Sequence, residues 1–193
     1  MNTTRTEPSR SNLTLWLILA TCVLPFVAAT ALFYLAPPDR QMNHGELLPP
    51  RPLPPWMLQD LEGKPANADS VRGRWTLAMV DSGECTQACR DKLYKMRQVR
   101  LAQGKHMDRV QRLWLLTDRQ LPDAQLLQEY RGTLVLRAAG VALGEGLPAT
   151  GSLQEPIWII DPLGNVMMRY PAGADPTGIK KDLERLLRVS RIE

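Results

Sequence analysis

The stretch Leu13 to Leu35 contains no charged residue, whereas the rest of the chain alternates short apolar runs with mixed polar and charged segments. As a helix, 13–35 reaches about 34 Å, enough to cross a hydrocarbon layer of about 30 Å. Trp16 lies near one end and Phe33 and Tyr34 near the other, where interfacial aromatics belong, and Pro25 predicts a kink. The apolar region of a cleaved leader is usually about 7–15 residues. The pattern therefore predicts a retained transmembrane anchor, preceded by a short cytoplasmic N-terminus over 1–12. Residues 36–55 follow with Pro37, Pro38, Pro49, Pro50, Pro52, Pro54 and Pro55, a composition that predicts an extended, semi-rigid spacer. A globular domain is expected over 56–193.

Within that domain the apolar period changes repeatedly. Trp75–Val80 and Val110–Leu116 are short, nearly continuous apolar runs and predict buried strands. From Cys85 to about Gln103 the spacing of Leu93, Met96 and Val99 predicts a helix that Gly104 stops. A second helix is expected from Pro122-Asp123 to Arg131, ended by Gly132, with a short strand over Leu134–Leu136. Residues 140–155 read as a glycine-rich loop. Ile157–Ile160 and Val166–Tyr170 flank Asp161-Pro162-Leu163-Gly164-Asn165, a hairpin signature, and Leu61–Pro65 reads as another tight turn. Asp175-Pro176 caps a last amphipathic helix, Thr177 to about Val189. Strand, helix, strand, helix, hairpin, helix gives an α/β domain, a central mixed sheet covered by helices.

Length and charge narrow the function. The 193 residues hold one domain of ordinary size beside the anchor. The net charge of +4 is dispersed: Arg90, Asp91 and Lys92 stand together, as do Lys180, Lys181, Asp182, Glu184 and Arg185. Such mixtures read as solvated helix faces, which argues against nucleic acid as a partner. Arg5 and Arg10 precede the apolar span, whereas Arg40 after it stands beside Asp39. The positive-inside rule then predicts a single-pass inner-membrane protein with its domain outside the cytoplasm, in the oxidising periplasm.

Of the three cysteines, Cys22 lies in the apolar span as a small filler. Cys85 and Cys89 follow the first buried run directly. On a helix, residues four apart share a face with about 6 Å of rise, which sets their Cα atoms near the upper limit for a disulfide. Such a pair either forms a reducible bridge or offers two sulfurs to one soft metal ion. At an exposed helix start the unpaired amides favour a thiolate. Arg90 and Lys92 would assist this and Glu84 would oppose it. Both histidines read as surface residues. His44 sits in the expected spacer with Met42, and His106 lies roughly 20 Å beyond the start of the helix. Met167 and Met168 read as hairpin residues, one core and one surface.

A strand, a cysteine pair, a helix, a second strand–helix unit and then Pro156 before a hairpin resemble the thioredoxin fold. In that fold a cis proline faces the cysteines, and Pro156 occupies the matching place. More closely, Cys85-Thr86-Gln87-Ala88-Cys89 and Asp161-Pro162-Leu163-Gly164 resemble the Cys-x-x-x-Cys motif and Asp-Pro-x-Gly turn of the Sco/SenC family. The order Val110–Asp118 then Asp123–Tyr130 is similar as well, and the resemblance spans 56–189. It implies a membrane-anchored protein of cytochrome c oxidase assembly. It also implies an oxidase subunit or an assembly factor as partner, Cys85, Cys89 and Pro156 as site residues, and Cu(I) held by Cys85 and Cys89. Two features depart from the family. Gly83-Glu84 and Arg90 stand where it has prolines, and Gly151–Pro156 lacks its copper-binding histidine. Thiol–disulfide exchange needs no histidine and two thiolates suit Cu(I), so exchange on partner cysteines gains weight over copper carriage. A general exported thiol–disulfide oxidoreductase and a non-catalytic tethered adaptor are the alternative readings.

Overall fold

The computed structural model describes residues 10–35 and 43–190 and divides into two units, residues 1–42 and 43–193. In the first, α1 (Arg10–Leu35) is a single helix that includes Pro25. Its Thr14–Leu32 segment, with mean hydropathy 2.2, is long and apolar enough to cross a membrane. The hydroxyls of Thr21 and Thr30 donate to the carbonyls of Leu17 and Phe26, one turn back. Neither polar group is therefore left unpaired along the apolar rod.

In the second unit one sheet combines β1 (Glu46–Pro52), β2 (Leu58–Gln59), β3 (Pro65–Ala66), β4 (Trp75–Asp81), β5 (Val110–Leu116), β6 (Thr133–Arg137), β7 (Ile157–Ile160) and β8 (Asn165–Tyr170). Their spatial order is β1-β8-β7-β4-β5-β6-β2-β3. The central β4, β5 and β6 run parallel, and the β7–β8 hairpin joins β4 antiparallel. The parallel pairs need crossovers, supplied by α2 (Gln87–Leu101) and α3 (Ala124–Glu129). The last helix is α4 (Pro176–Val189).

β4 is buried on both faces, which explains its unbroken apolar run. Leu77 and Met79 turn to one face and meet Leu93 and Met96 of α2, Leu126 of α3 and Leu183 of α4. Ala78 and Val80 turn to the other, where Trp56, Leu113, Leu147 and Trp158 pack. The α-helices of the domain lie on the first face. Loops and the 3-10 turns Ala68–Val71 and Leu143–Glu145 cover the second. Fully burying a Leu such as Leu183 stabilises by about 2 kcal/mol. The Asp123 carboxylate accepts from the amides of Gln125 and Leu126, and Asp175 accepts from Thr177; such a cap contributes about 1 kcal/mol.

Of the proline-rich stretch expected as a spacer over 36–55, Glu46–Pro52 is a strand of the sheet, while 36–42 lie outside the described residues. β1 lies along β8, with Glu46 opposite Arg169 and Pro52 opposite Asn165, and its register shifts between Leu47 and Arg51. Proline donates no ladder bond, so it fits only at an edge or an irregularity. Pro49 and Pro50 occupy that irregularity on the sheet's outermost strand. Arg169 holds the strand by pairing with Glu46.

The start of the unit is fixed by a buried carboxylate. Asp182 on α4 accepts the amides of His44 and Gly45 at 2.7 and 3.0 Å and the Tyr170 hydroxyl at 3.0 Å, and it faces His44 Nδ1 at 3.2 Å. Burial, and then the neighbouring Asp182 charge, push the Tyr170 hydroxyl far above the ordinary tyrosine range. His44, read from sequence as part of a linker, is thus part of the folded domain.

Candidate redox site

β4 delivers the chain to Asp81 and the turn Ser82-Gly83-Glu84. Cys85 follows with φ 49°, the one positive value at a non-glycine residue among the described residues. An L-residue in that conformation costs about 1–2 kcal/mol and persists only where its surroundings impose it. Thr86 is the N-cap of α2, and Cys89 is the third residue of that helix. The cysteines therefore bracket the helix start, whereas the sequence suggested that both sit on one helical face. The left-handed step at Cys85 folds the approach back, so the Cα atoms are 5.0 Å apart and the sulfurs are joined in a disulfide.

An exposed helix tip was expected, but the pair is buried: Cys85 is 2% accessible and Cys89 0%. Its cover is visible in the neighbouring loops. Gly83 donates its amide to Asp118 at 3.0 Å, and the Asp118 carboxylate also holds the Gln120 amide. This brings the Gln120 backbone against Gly83 so closely that a Cβ there would overlap the Gln120 carbonyl. Only glycine permits that approach.

From the other side comes Lys92, one turn after Cys89 on the buried stripe of α2. Its ammonium donates to the Asp81 carboxylate at 2.8 Å, to the Val80 carbonyl at 3.0 Å and, closely, to the Gln154 carbonyl. An ammonium has three protons, and each has an acceptor here. Lys92 thereby joins the end of β4, the cysteine helix and the loop that leads to β7. Desolvation lowers its pKa below the ordinary lysine value, and Asp81 opposes that shift. The Asp81 carboxylate also accepts the Ser82 amide, which fixes the first residue of the turn.

Pro156 lies at the same end of the sheet, because the register that pairs Met79 with Ile157 continues to set it level with Val80. It differs from expectation in its peptide bond, since there is no cis bond among the described residues. Here the preceding loop turns through the Glu155-to-Ser152 hydrogen bond and the Gln154 contact with Lys92. Trans, the favoured isomer, then suffices to enter β7. The other sequence candidates stand apart. His44 is held by Asp182, and His106 lies in the 3-10 segment Gly104–Arg109 beyond the far end of α2. Met168 is core and Met167 half-buried. Among the described residues no third His, Cys, Asp or Glu joins Cys85 and Cys89 in a metal-holding group.

By charge pattern alone Lys92 falls on a solvated face, and no motif singles out Asp81. One signal was available: Cys85, Cys89, Lys92, Met96 and Val99 recur at the three- and four-residue spacing of a single helix stripe. A lysine on that stripe needs a buried partner, and the acid ending the preceding strand is within reach.

A mixed sheet with helices on one face, and a disulfide bracketing the start of the helix after a central strand, define a thioredoxin-like protein. Residues 75–190 match the family described as transmembrane-like, thioredoxin-like, C-terminal domain, and the chain belongs to that family. Solved structures show the same fold at low sequence identity. Copper-bound yeast Sco1 is similar at a TM-score of 0.59 and 16% identity, over 74% of this chain and 96% of that one. Copper-bound ScoI of Bradyrhizobium japonicum gives 0.53 and 19%, over 70% and 99%. BsSco, described as carrying a disulfide switch and as a member of the Sco family of cytochrome c oxidase assembly proteins, gives 0.53 and 14%, over 78% and 100%. No curated protein sequence matches the chain.

Proposed function

We propose that this protein is a membrane-anchored thioredoxin-like factor of cytochrome c oxidase assembly that exchanges electrons between Cys85–Cys89 and the cysteines of an oxidase subunit or assembly partner. The bridge at the start of α2, backed by the Lys92–Asp81 pair, carries this reading. Likeness in fold to Sco proteins supports it. So does the charge-free span of α1 with Arg5 and Arg10 before it, which fits an N-terminus inside and a domain in the periplasm.

The reaction is a two-electron exchange. In its reduced form the chain presents two thiols. One thiolate attacks a sulfur of the partner disulfide, the mixed disulfide forms, and the second thiolate displaces the partner sulfur. The Cys85–Cys89 bond is then remade, and the partner leaves with two thiols and two protons. An exported dithiol reductant must restore the starting state. Cys85 stands outside the helix at the turn, and it is the sulfur we assign to attack. Pro156, at the same strand ends, borders the site from the β7 side. Burial of the bridge requires the 82–86 turn to part from its covering loops before a partner engages.

Two thiolates suit Cu(I) as cargo, because that ion accepts soft donors and low coordination. The deciding experiment equilibrates the purified full chain with dithiothreitol buffers and titrates the same protein anaerobically with Cu(I). Exchange predicts one reversible two-electron step that is absent in Cys85→Ser. Tight one-to-one copper binding abolished by the same substitution would support carriage. Thiols that stay free in the exported protein and alkylate no faster than an ordinary cysteine would overturn both.

A further inference from the structure

A groove of about 1160 Å³ opens where the β2–β3 hairpin and the turn Ala68–Val71 meet the end of β6. It is lined by Trp56, Leu58 and Pro65 together with Arg72, Arg119 and Arg137. Arg72 is already paired with Asp69 at 2.9 Å. Arg119 and Arg137 have no carboxylate partner among the described residues. Arg137 spends one Nη2 proton on the Leu61 carbonyl, yet its Nε is buried without an acceptor, and so is Trp56 Nε1.

The groove continues the row of strand ends at which the cysteine turn begins. Asp81 pairs with Leu116, Leu116 with Arg137, Arg137 with Gln59, and Gln59 with Pro65. Arg119 is flanked by Asp118, which holds the Gly83 amide, and by Gln120, whose backbone abuts Gly83. One short loop thus borders both the groove and the turn that presents Cys85.

We propose that the groove binds an extended acidic polypeptide segment of the protein whose cysteines react with Cys85–Cys89, an inference that rests on the exchange reading above. Carboxylates meet Arg119 and Arg137 with charge-assisted bonds, and intervening apolar side chains settle beside Leu58 and Pro65. Other occupants lack the charge. Residues 36–42 of this chain offer one acid, Asp39, beside one base, Arg40, and a second copy carries a net charge of +4.

The test uses the full chain in detergent micelles and a fluorescein-labelled peptide in which Glu and Leu alternate, read by anisotropy. The acidic peptide should bind, with an affinity that falls as salt rises. Its Gln analogue should bind about tenfold more weakly, and Arg119→Glu, an exposed loop change, should weaken the acidic peptide by about tenfold or more. Lys181→Glu, the same change of charge on α4, should have no such effect. Failure to bind, equal affinity for the Gln analogue, or equal loss in Lys181→Glu would overturn the proposal. A dimer detected by sedimentation and lost in Arg119→Glu would also overturn it by giving the groove to a second copy. Reversible reduction of Cys85–Cys89 by dithiothreitol, measured on the parent chain without peptide, tests the exchange reading by itself. Failure of the exchange reading therefore shows there, separately from failure of the groove.

Discussion

Lys92 shows how one side chain can tie together segments that are distant in sequence. A buried ammonium is tolerated here because Asp81, Val80 and Gln154 take all three of its protons. Removing it leaves the Asp81 carboxylate buried without its cation, so Lys92→Met should destabilise the domain by about 3 kcal/mol in urea denaturation. Removing both charges, as in Lys92→Met with Asp81→Leu, should restore most of that loss; a double variant no better than the single one would refute the account. The pH dependence has a definite sign. Since the folded pKa of Lys92 is lowered from 10.5, the unfolded chain binds more protons as pH approaches 10.5 from below. Stability of the parent relative to Lys92→Met should therefore rise through that alkaline window. Tyr170, raised from 10.0, acts in the opposite direction above pH 10, but it is present in both proteins and cancels in the difference.

At the scale of elements, the turn between β4 and α2 is where neighbouring segments constrain one another most tightly. Gly83→Ala would force the Gln120 carbonyl away, and with it the loop 118–120 that covers the cysteine turn. We expect a destabilisation of about 1–3 kcal/mol and faster reduction of the bridge by dithiothreitol, since cover and strain are released together. An unchanged reduction rate would show that the loop does not limit access. The elements were legible in the sequence wherever one physical signal dominated. The double-sided apolar runs gave β4 and β5, and Asp175-Pro176 gave the start of α4. Edge strand β1 was hidden because its prolines are the usual mark of a spacer, and only a partner distant in sequence, β8, makes it a strand. The cysteine pair was legible as chemistry but not as geometry. Nothing local announces that Cys85 turns left-handed, and although the helix stripe carries Lys92, its acceptor at Gln154 lies dozens of residues away.

For the whole molecule, the bridge contributes stability as well as the chemistry proposed for it. It closes a loop of sequence separation 4, so its reduction should lower the unfolding free energy by about 2 kcal/mol or less. Urea melts with and without reductant test this, and superimposable melts would mean that the bond is not formed in solution. A small contribution suits the exchange proposed above, in which the reduced domain has to remain folded until a partner engages.

Asp182 has a further consequence for a domain pulled by its leading end. It grips the first residues of the unit, His44 and Gly45, from within α4. Tension applied at His44 therefore passes into a helix seated in the core before it can reach edge strand β1. A pull at that end meets a bolt, and the sheet edge peels only after that bolt has sheared.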